Sequence, residues 1–255
     1  MRTISVLNFK GGVGKSTLST NVAHALAMEG QRVLLVDCCM QGNASTLLGE
    51  PRTPTLTDVL QQKAALPAAI HEARANLAIV PSDTNLEKAA RFIGMEGHRA
   101  YYTLRKATQQ LTGFDVVIFD HSPSYSAVTE SALLASAEMV IPARLEDFSM
   151  RGLLQMIQKL QESLVDHALD LAGIVPVGYD ARPGNKEMHD TYISDLRDLF
   201  GERVLPAVRV DINIPKAQSF NQTIFEYNDR SRSAQDFRAI AAALSPTARA
   251  TEVTA

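Results

Sequence analysis

Eight consecutive residues near the start, Lys10-Gly11-Gly12-Val13-Gly14-Lys15-Ser16-Thr17, combine three glycines, two lysines and two hydroxyls. Glycines let successive backbone N–H groups turn toward one anion, and a helix N-terminus that follows adds partial positive charge. Lys15 can then reach the β and γ phosphates of a nucleotide, and the Ser16 hydroxyl can ligate Mg²⁺. The string departs from the strict pattern G-x-x-x-x-G-K-[ST]: Phe9 stands where the first glycine belongs, and Lys10 places a further cation inside the loop. A carboxylate completes the set. Val116-Val117-Ile118-Phe119-Asp120 is an apolar run ending in an acid, the arrangement that beside a phosphate loop holds Mg²⁺ through a water. Cys38 and Cys39 are the only cysteines. Two adjacent thiols without a second pair or nearby His ligands are poorly suited to a zinc or iron–sulfur site, and a metal or redox role stands only as the rival reading of this pair.

These groups act together only if a scaffold brings strand ends side by side. Thr3 to Phe9 reads as a buried strand, and Ser16 to Met28 as a helix with Leu18, Val22, Ala25 and Leu26 on one face. Further strands are predicted at Arg32–Asp37, Leu77–Val80, Phe114–Asp120, Met139–Ala143, Ile174–Val177 and Val204–Val208. Helical periodicity falls at about 85–95, 98–111, 127–137, 150–165 and 187–200. Residues 51–67, with Pro51, Pro54 and Pro67, read as a surface excursion carrying one short helix. Apolar strands alternating with helices imply an α/β fold, a mostly parallel twisted sheet with helices on both faces. No repeat or linker divides the chain. One domain over 1–245 is expected, with 246–255 a disordered tail.

Composition narrows the class. Hydrophobic residues make up 45% of the 255, which excludes a disordered or collagen-like chain. No apolar run approaches the roughly 18 residues of a membrane span. The cysteine count excludes a disulfide framework and fits a reducing cytoplasm. A net charge of −3 argues against a wholly basic nucleic-acid coat but not against a local patch. Residues 204–250 hold six basic groups (Arg209, Lys216, Arg230, Arg232, Arg238, Arg249) and four acidic ones, a local excess of two positive charges. Lys and Arg on phosphates give salt-sensitive, sequence-tolerant affinity.

Lys10 to Thr17 resembles the deviant Walker A motif of the ParA/MinD family of P-loop ATPases, nearest the short Soj-like ParA type that partitions DNA. In that family the extra lysine, here Lys10, crosses a nucleotide-sandwiched dimer to the partner's phosphates. The resemblance therefore implies ATP and Mg²⁺ as cofactors and an ATP-dependent homodimer. Lys10, Gly11, Gly12, Val13, Gly14, Lys15, Ser16 and Thr17 would form the nucleotide cradle, with Ser16 and Asp120 on the metal. Asp37-Cys38-Cys39-Met40-Gln41-Gly42-Asn43 resembles the family's switch I, usually Asp-x-Asp-Pro-Gln-Gly-Asn. This match assigns Asp37 to the metal shell through a water, and it places Lys10, Lys15, Asp37, Cys39 and Asp120 in the catalytic set. The family's second aspartate, which helps place the attacking water, falls on Cys39, and its proline on Met40. A thiol is a weak acceptor, mostly neutral near pH 7. Slow hydrolysis is therefore expected. His121-Ser122-Pro123-Ser124 resembles switch II, usually Asp-Cys-Pro-Pro counted from the acid, with Ser122 in place of the first proline.

The resemblance runs along essentially the whole chain, through Ala217 to Tyr227. With its start at the first strand, the sequence is similar to relatives without an N-terminal helix-turn-helix extension. Such proteins bind DNA without sequence preference once ATP has made the dimer, and they answer to a ParB-like adaptor. The family's arginine cluster, often Arg-Asn-Val-Arg, is here Arg209-Val210-Asp211-Ile212-Asn213. Arg209 is the first expected DNA contact, with Lys216, Arg230 and Arg232 behind it. The implied function is partition of plasmid or chromosome by a cytoplasmic, nucleoid-associated switch. Positioning of another cargo, a microcompartment or chemoreceptor cluster, stays open beside it. A MinD-like membrane role needs a C-terminal amphipathic basic helix with bulky apolar residues. Thr247 to Ala255 has no Phe, Leu, Ile or Trp, so no membrane partner is expected.

Overall fold

The computed structural model describes residues 1–49, 52–147, 149–164 and 167–245; the expected tail and Pro51 lie outside the described residues. The β-branched runs form strands close to where the pattern places them, and one strand the pattern does not place, β3, joins them: β1 Arg2–Val6, β2 Val33–Cys38, β3 His71–Arg74, β4 Leu77–Val80, β5 Val116–His121, β6 Glu138–Arg144, β7 Asp170–Tyr179 and β8 Val208–Arg209. Among the described residues they make one sheet in the order β3-β4-β2-β5-β1-β6-β7-β8. Every neighbouring pair is parallel except β3 and β4. The antiparallel turn between those two uses Asn76 at φ 59°, a left-handed conformation that Asn tolerates.

Several elements differ from expectation. The strand predicted over Val204–Val208 is reduced to its end, with Val204 making only an isolated bridge to Ile174. Pro206 between them has no N–H to give a ladder. The helix expected over 98–111 divides into His98–Tyr101 and Thr103–Gln109. Helices Asn213–Ser219, Ile224–Asn228 and Arg232–Leu244 were not anticipated from the residues.

The sheet is covered on both faces. On one, helix Lys15–Met28 and helix Arg232–Leu244 bury Leu18, Val22, Leu26, Phe237, Ile240 and Leu244 against Ile4, Val116 and Ile118. On the other, helices Leu86–Glu96 and Ala127–Leu134 bury Ile93, Val128 and Ala132 against Leu34, Val36, Val117 and Phe119. Each large side chain so buried contributes about 1.5–3 kcal/mol.

The strand order decides where chemistry can happen. β1 lies between β5 and β6, and β2 is beside β5. The loops leaving the carboxyl ends of β1, β2 and β5 therefore open on one edge, where the chain's winding reverses. In open α/β sheets that crevice is the usual ligand site.

Candidate active site

The loop after β1 is shaped by two glycines in the left-handed region, Gly12 at φ +72° and Gly14 at φ +87°. A side chain at either would be strained. Val13 between them is buried and anchors the loop to the core. Gly14 is the N-cap of helix Lys15–Met28, and no side chain caps that helix. Its first N–H groups are left to bind an anion. Lys15 is only 7% exposed, and its Nζ donates to the Lys10 carbonyl at 2.9 Å. Burial lowers its pKa, against the pull of Asp120 and Cys39. Lys10 itself is exposed. The two lysines thus occupy opposite environments, one sunk beneath the loop and one at its rim.

Asp120 is fully buried at the end of β5 and accepts from Ser19 Oγ at 2.8 Å. Its second oxygen, Oδ2, is buried without a hydrogen-bond partner. Burial, then neighbouring Asp37, raises its pKa to about 7, opposed by hydrogen bonds from Ser16 and Ser19 and by Lys15. An orphaned carboxylate oxygen next to a serine hydroxyl is an all-oxygen pair suited to Mg²⁺. That ion takes one or two protein ligands and fills its shell with water and phosphate. Ser16 and Asp120 fit the ion.

Asp37 does something else. Its Oδ1 accepts from the Cys39 N–H at 3.0 Å, and its Oδ2 accepts from the Ser45 N–H at 2.9 Å and the Ser45 Oγ at 2.7 Å. Ser45 Oγ in turn accepts from the Ser82 N–H at 2.9 Å. The carboxylate that the motif assigned to the metal shell is occupied in fastening the switch I loop to the helix Asn43–Leu48. The orphaned oxygen belongs to Asp120.

Cys39 lines a cleft of about 620 Å³ with Gly11, Gly12, Gly14, Lys15, Ser16, Thr17 and His121, so residue 39 does face the phosphate loop. Burial raises its thiol pKa, which keeps it neutral and a poor acceptor. His121 donates or accepts at 2.8 Å with Ser5 Oγ. Burial, then Lys15, lowers its pKa to about 3. The far wall of the cleft is Gln218 and Asn221, and Gln218 Nε2 donates to Thr17 Oγ1 at 2.7 Å. Neither was a sequence candidate. They lie some two hundred positions from the loop, and no local pattern announces the contact.

A family profile described as an AAA domain matches residues 1–170. The chromosome partitioning protein ParA of Caulobacter vibrioides is 31% identical over 251 residues, covering 94% of this chain and 92% of that one. The chain belongs to the ParA/MinD family of P-loop ATPases. The cell division protein PomZ of Myxococcus xanthus is 32% identical, over 92% of this chain and 75% of its own. Among solved structures, cobyrinic acid a,c-diamide synthase of Mycobacterium smegmatis, with bound ATP analogue and magnesium, superposes with a TM-score of 0.83. It is 26% identical over 98% of this chain and 96% of that chain.

Arg209, the first expected DNA contact, is engaged within the fold. Its guanidinium pairs with Asp236 at 2.7 Å, its Nη2 donates to the Arg232 carbonyl at 3.1 Å, and its own N–H donates to Asp236 Oδ2 at 2.9 Å. Asp236 is nine-tenths buried. Arg209 therefore fastens β8 to helix Arg232–Leu244, and its charge is neutralised where it stands. Lys216, Arg230 and Arg232 are exposed, with no ion pair among the described residues.

Proposed function

We propose that this ParA-type ATPase is an ATP-assembled dimeric switch that holds DNA without sequence preference and lets go when a ParB-like adaptor triggers hydrolysis. ATP and Mg²⁺ are its cofactors. The observation that carries the reading is the pair of lysines in one loop. Lys15, buried under the loop, serves the nucleotide of its own protomer. Lys10, exposed on the same loop but lining a neighbouring hollow with Arg144, would serve a nucleotide in a facing copy. A second cation at the γ-phosphate stabilises charge that develops in phosphoryl transfer.

The chain's own residues divide the work. The uncapped N-terminus of helix Lys15–Met28 and the Gly12–Gly14 turn bind the phosphates. Ser16 and Asp120 would hold Mg²⁺, which when bound would supply positive charge against the charge developing in phosphoryl transfer. Asp37 keeps the switch I loop in register so that residue 39 stays against the cleft. With Cys39 in that place, the attacking water lacks a strong acceptor, and turnover is slow.

Lys216, Arg230 and Arg232 are the DNA contacts of this reading, on a protein of the cytoplasm that rides the nucleoid. Retention of unspecific duplex DNA is measured with and without Mg-ATP across a salt series. Retention that needs ATP and falls steeply with salt is expected; equal retention without ATP rejects the switch. The similarity to a cell division protein supports a second reading, the same switch carrying a cargo other than DNA. The cargo bound by the adaptor that stimulates turnover separates the two.

A further inference from the structure

The carbonyl of Gly12 is turned toward β6 and accepts a hydrogen bond from Arg144 Nη1 at 3.1 Å. Glu146 grips the same guanidinium from its other edge, with Nε 3.0 Å from Oε2 and Nη2 on the same oxygen. Arg144 ends β6, which runs parallel to β1 with Val6 opposite Val140. The phosphate loop and Arg144 therefore leave from neighbouring strand ends. A second tie lies close by: Asn8 Nδ2 donates to the Pro142 carbonyl at 2.8 Å, and Asn8 Oδ1 accepts from the Lys10 N–H at 2.9 Å.

The Gly12 carbonyl and the Val13 N–H belong to one planar trans peptide, so they point in opposite directions. Holding the oxygen toward β6 sends the Val13 N–H toward the cleft side of the loop. Glycine at 12 makes that peptide plane easy to rotate, since both signs of φ are open to it. Without a donor on the carbonyl, the loop would sample orientations in which an oxygen faces the incoming phosphates. The pairing with Glu146 matters too. It leaves the Arg144–Glu146 unit without net charge, so Arg144 acts here as an oriented donor, and not as a point charge attracting anions.

We propose that Arg144 is a positioning residue for the polyphosphate, holding the Gly12–Val13 peptide with its N–H toward the cleft so that the anion cradle exists before nucleotide arrives. The inference rests on the reading of this loop as the ATP site. Removing the donor makes bound phosphate itself select the peptide orientation, which weakens affinity. The reacting groups Lys15, Ser16 and Asp120 are untouched by the change, so KM rises more than kcat falls.

Binding of a fluorescent ATP analogue with Mg²⁺ is compared in the wild type, Arg144→Met, Arg144→Lys, Glu146→Gln and Lys15→Ala. Amide exchange of residues 11–14 is followed in the nucleotide-free protein. Arg144→Met is expected to lose about threefold to tenfold in affinity, the span of one net hydrogen bond, and to exchange faster at Val13. Arg144→Lys, which can still donate to the carbonyl, recovers part of both. Glu146→Gln keeps the donor but loosens its anchor, so it binds more weakly than wild type. Wild-type affinity in Arg144→Met beside lost binding in Lys15→Ala overturns the role of Arg144 alone. Tighter binding in Glu146→Gln makes Arg144 a simple attracting charge and overturns it as well. Full binding in Lys15→Ala removes the site assignment and this inference with it.

Discussion

Asp37 and Asp120 stand opposite one another in register on β2 and β5, and neither is exposed to solvent. Burial, then the charge of Asp37, lifts Asp120 to about 7. The folded value lies above the ordinary 3.8, so between those pH values the native protein binds a proton that the unfolded chain has lost. Stability must fall as pH rises through this window and level off above it. Nucleotide affinity in the presence of Mg²⁺ should move the other way, because the metal requires the ionised carboxylate. Asp115, held at about 2 by Arg32, titrates below the window. Melting curves from pH 5.5 to 8.5 on the nucleotide-free protein should show a negative slope that Asp120→Asn flattens. An unchanged slope in the variant would remove Asp120 as the titrating group.

Cys39 faces the phosphate loop with a thiol that burial keeps neutral. Restoring a carboxylate there gives the attacking water an acceptor. General-base positioning contributes about 10²–10⁴-fold in rate, and an acceptor added to a loop not shaped for it should recover at least about tenfold of that. Phosphate release at saturating Mg-ATP, with DNA and adaptor present, is compared between wild type and Cys39→Asp. Equal rates would show that residue 39 does not limit hydrolysis.

How far the sequence could see depends on how local each feature is. The phosphate loop was legible because its geometry is written in eight adjacent residues, and the buried strand β5 because an apolar run ends in an acid. β3 was not, since His-Glu-Ala-Arg at the sheet edge is half-buried and carries no alternation of apolar side chains. β7 extends over Asp170–Tyr179, beyond the expected Ile174–Val177, because the expectation followed the apolar run, and the strand continues past it through Gly173 and Gly178. Asp37 carries a structural role that the motif did not announce. A motif names the residue type at a position, and only the fold shows that Ser45, eight residues on, has taken its oxygens.

Arg209 separates a structural cation from a DNA-binding one. Arg209→Ala removes the partner of a nine-tenths-buried carboxylate. The guanidinium is about a third exposed, so solvent screening discounts the loss, which should be about 1–2 kcal/mol. Melting should fall by a few degrees while the salt slope of DNA retention stays as in wild type. Arg230→Ala and Arg232→Ala should do the reverse, holding stability and reducing the slope by about one each. A reduced slope in Arg209→Ala at unchanged stability would return that residue to the DNA-contact set.

Gly173 tests the packing that holds the second half of the sheet. It sits in β7 opposite Val140 of β6, and a Cβ built there would overlap the Cγ and one methyl of Leu205 and crowd the other. Leu205 is itself buried, and its N–H donates to the Ile174 carbonyl at 2.9 Å. The clash therefore reaches the branch point of a buried side chain, so clearing it means turning Leu205 about its Cα–Cβ bond within packed surroundings. Overpacking of this kind costs about 1–3 kcal/mol. The strain falls between β7 and the segment leading to β8, remote from the phosphate loop. Gly173→Ala should accordingly lower the denaturation midpoint at constant slope, while Mg-ATP affinity measured well below melting stays within about twofold of wild type. Leu205→Ala in the same background makes room for the new methyl, so the double variant should lose less than the sum of the two single ones. Strict additivity would mean that Leu205 is not what the added carbon meets.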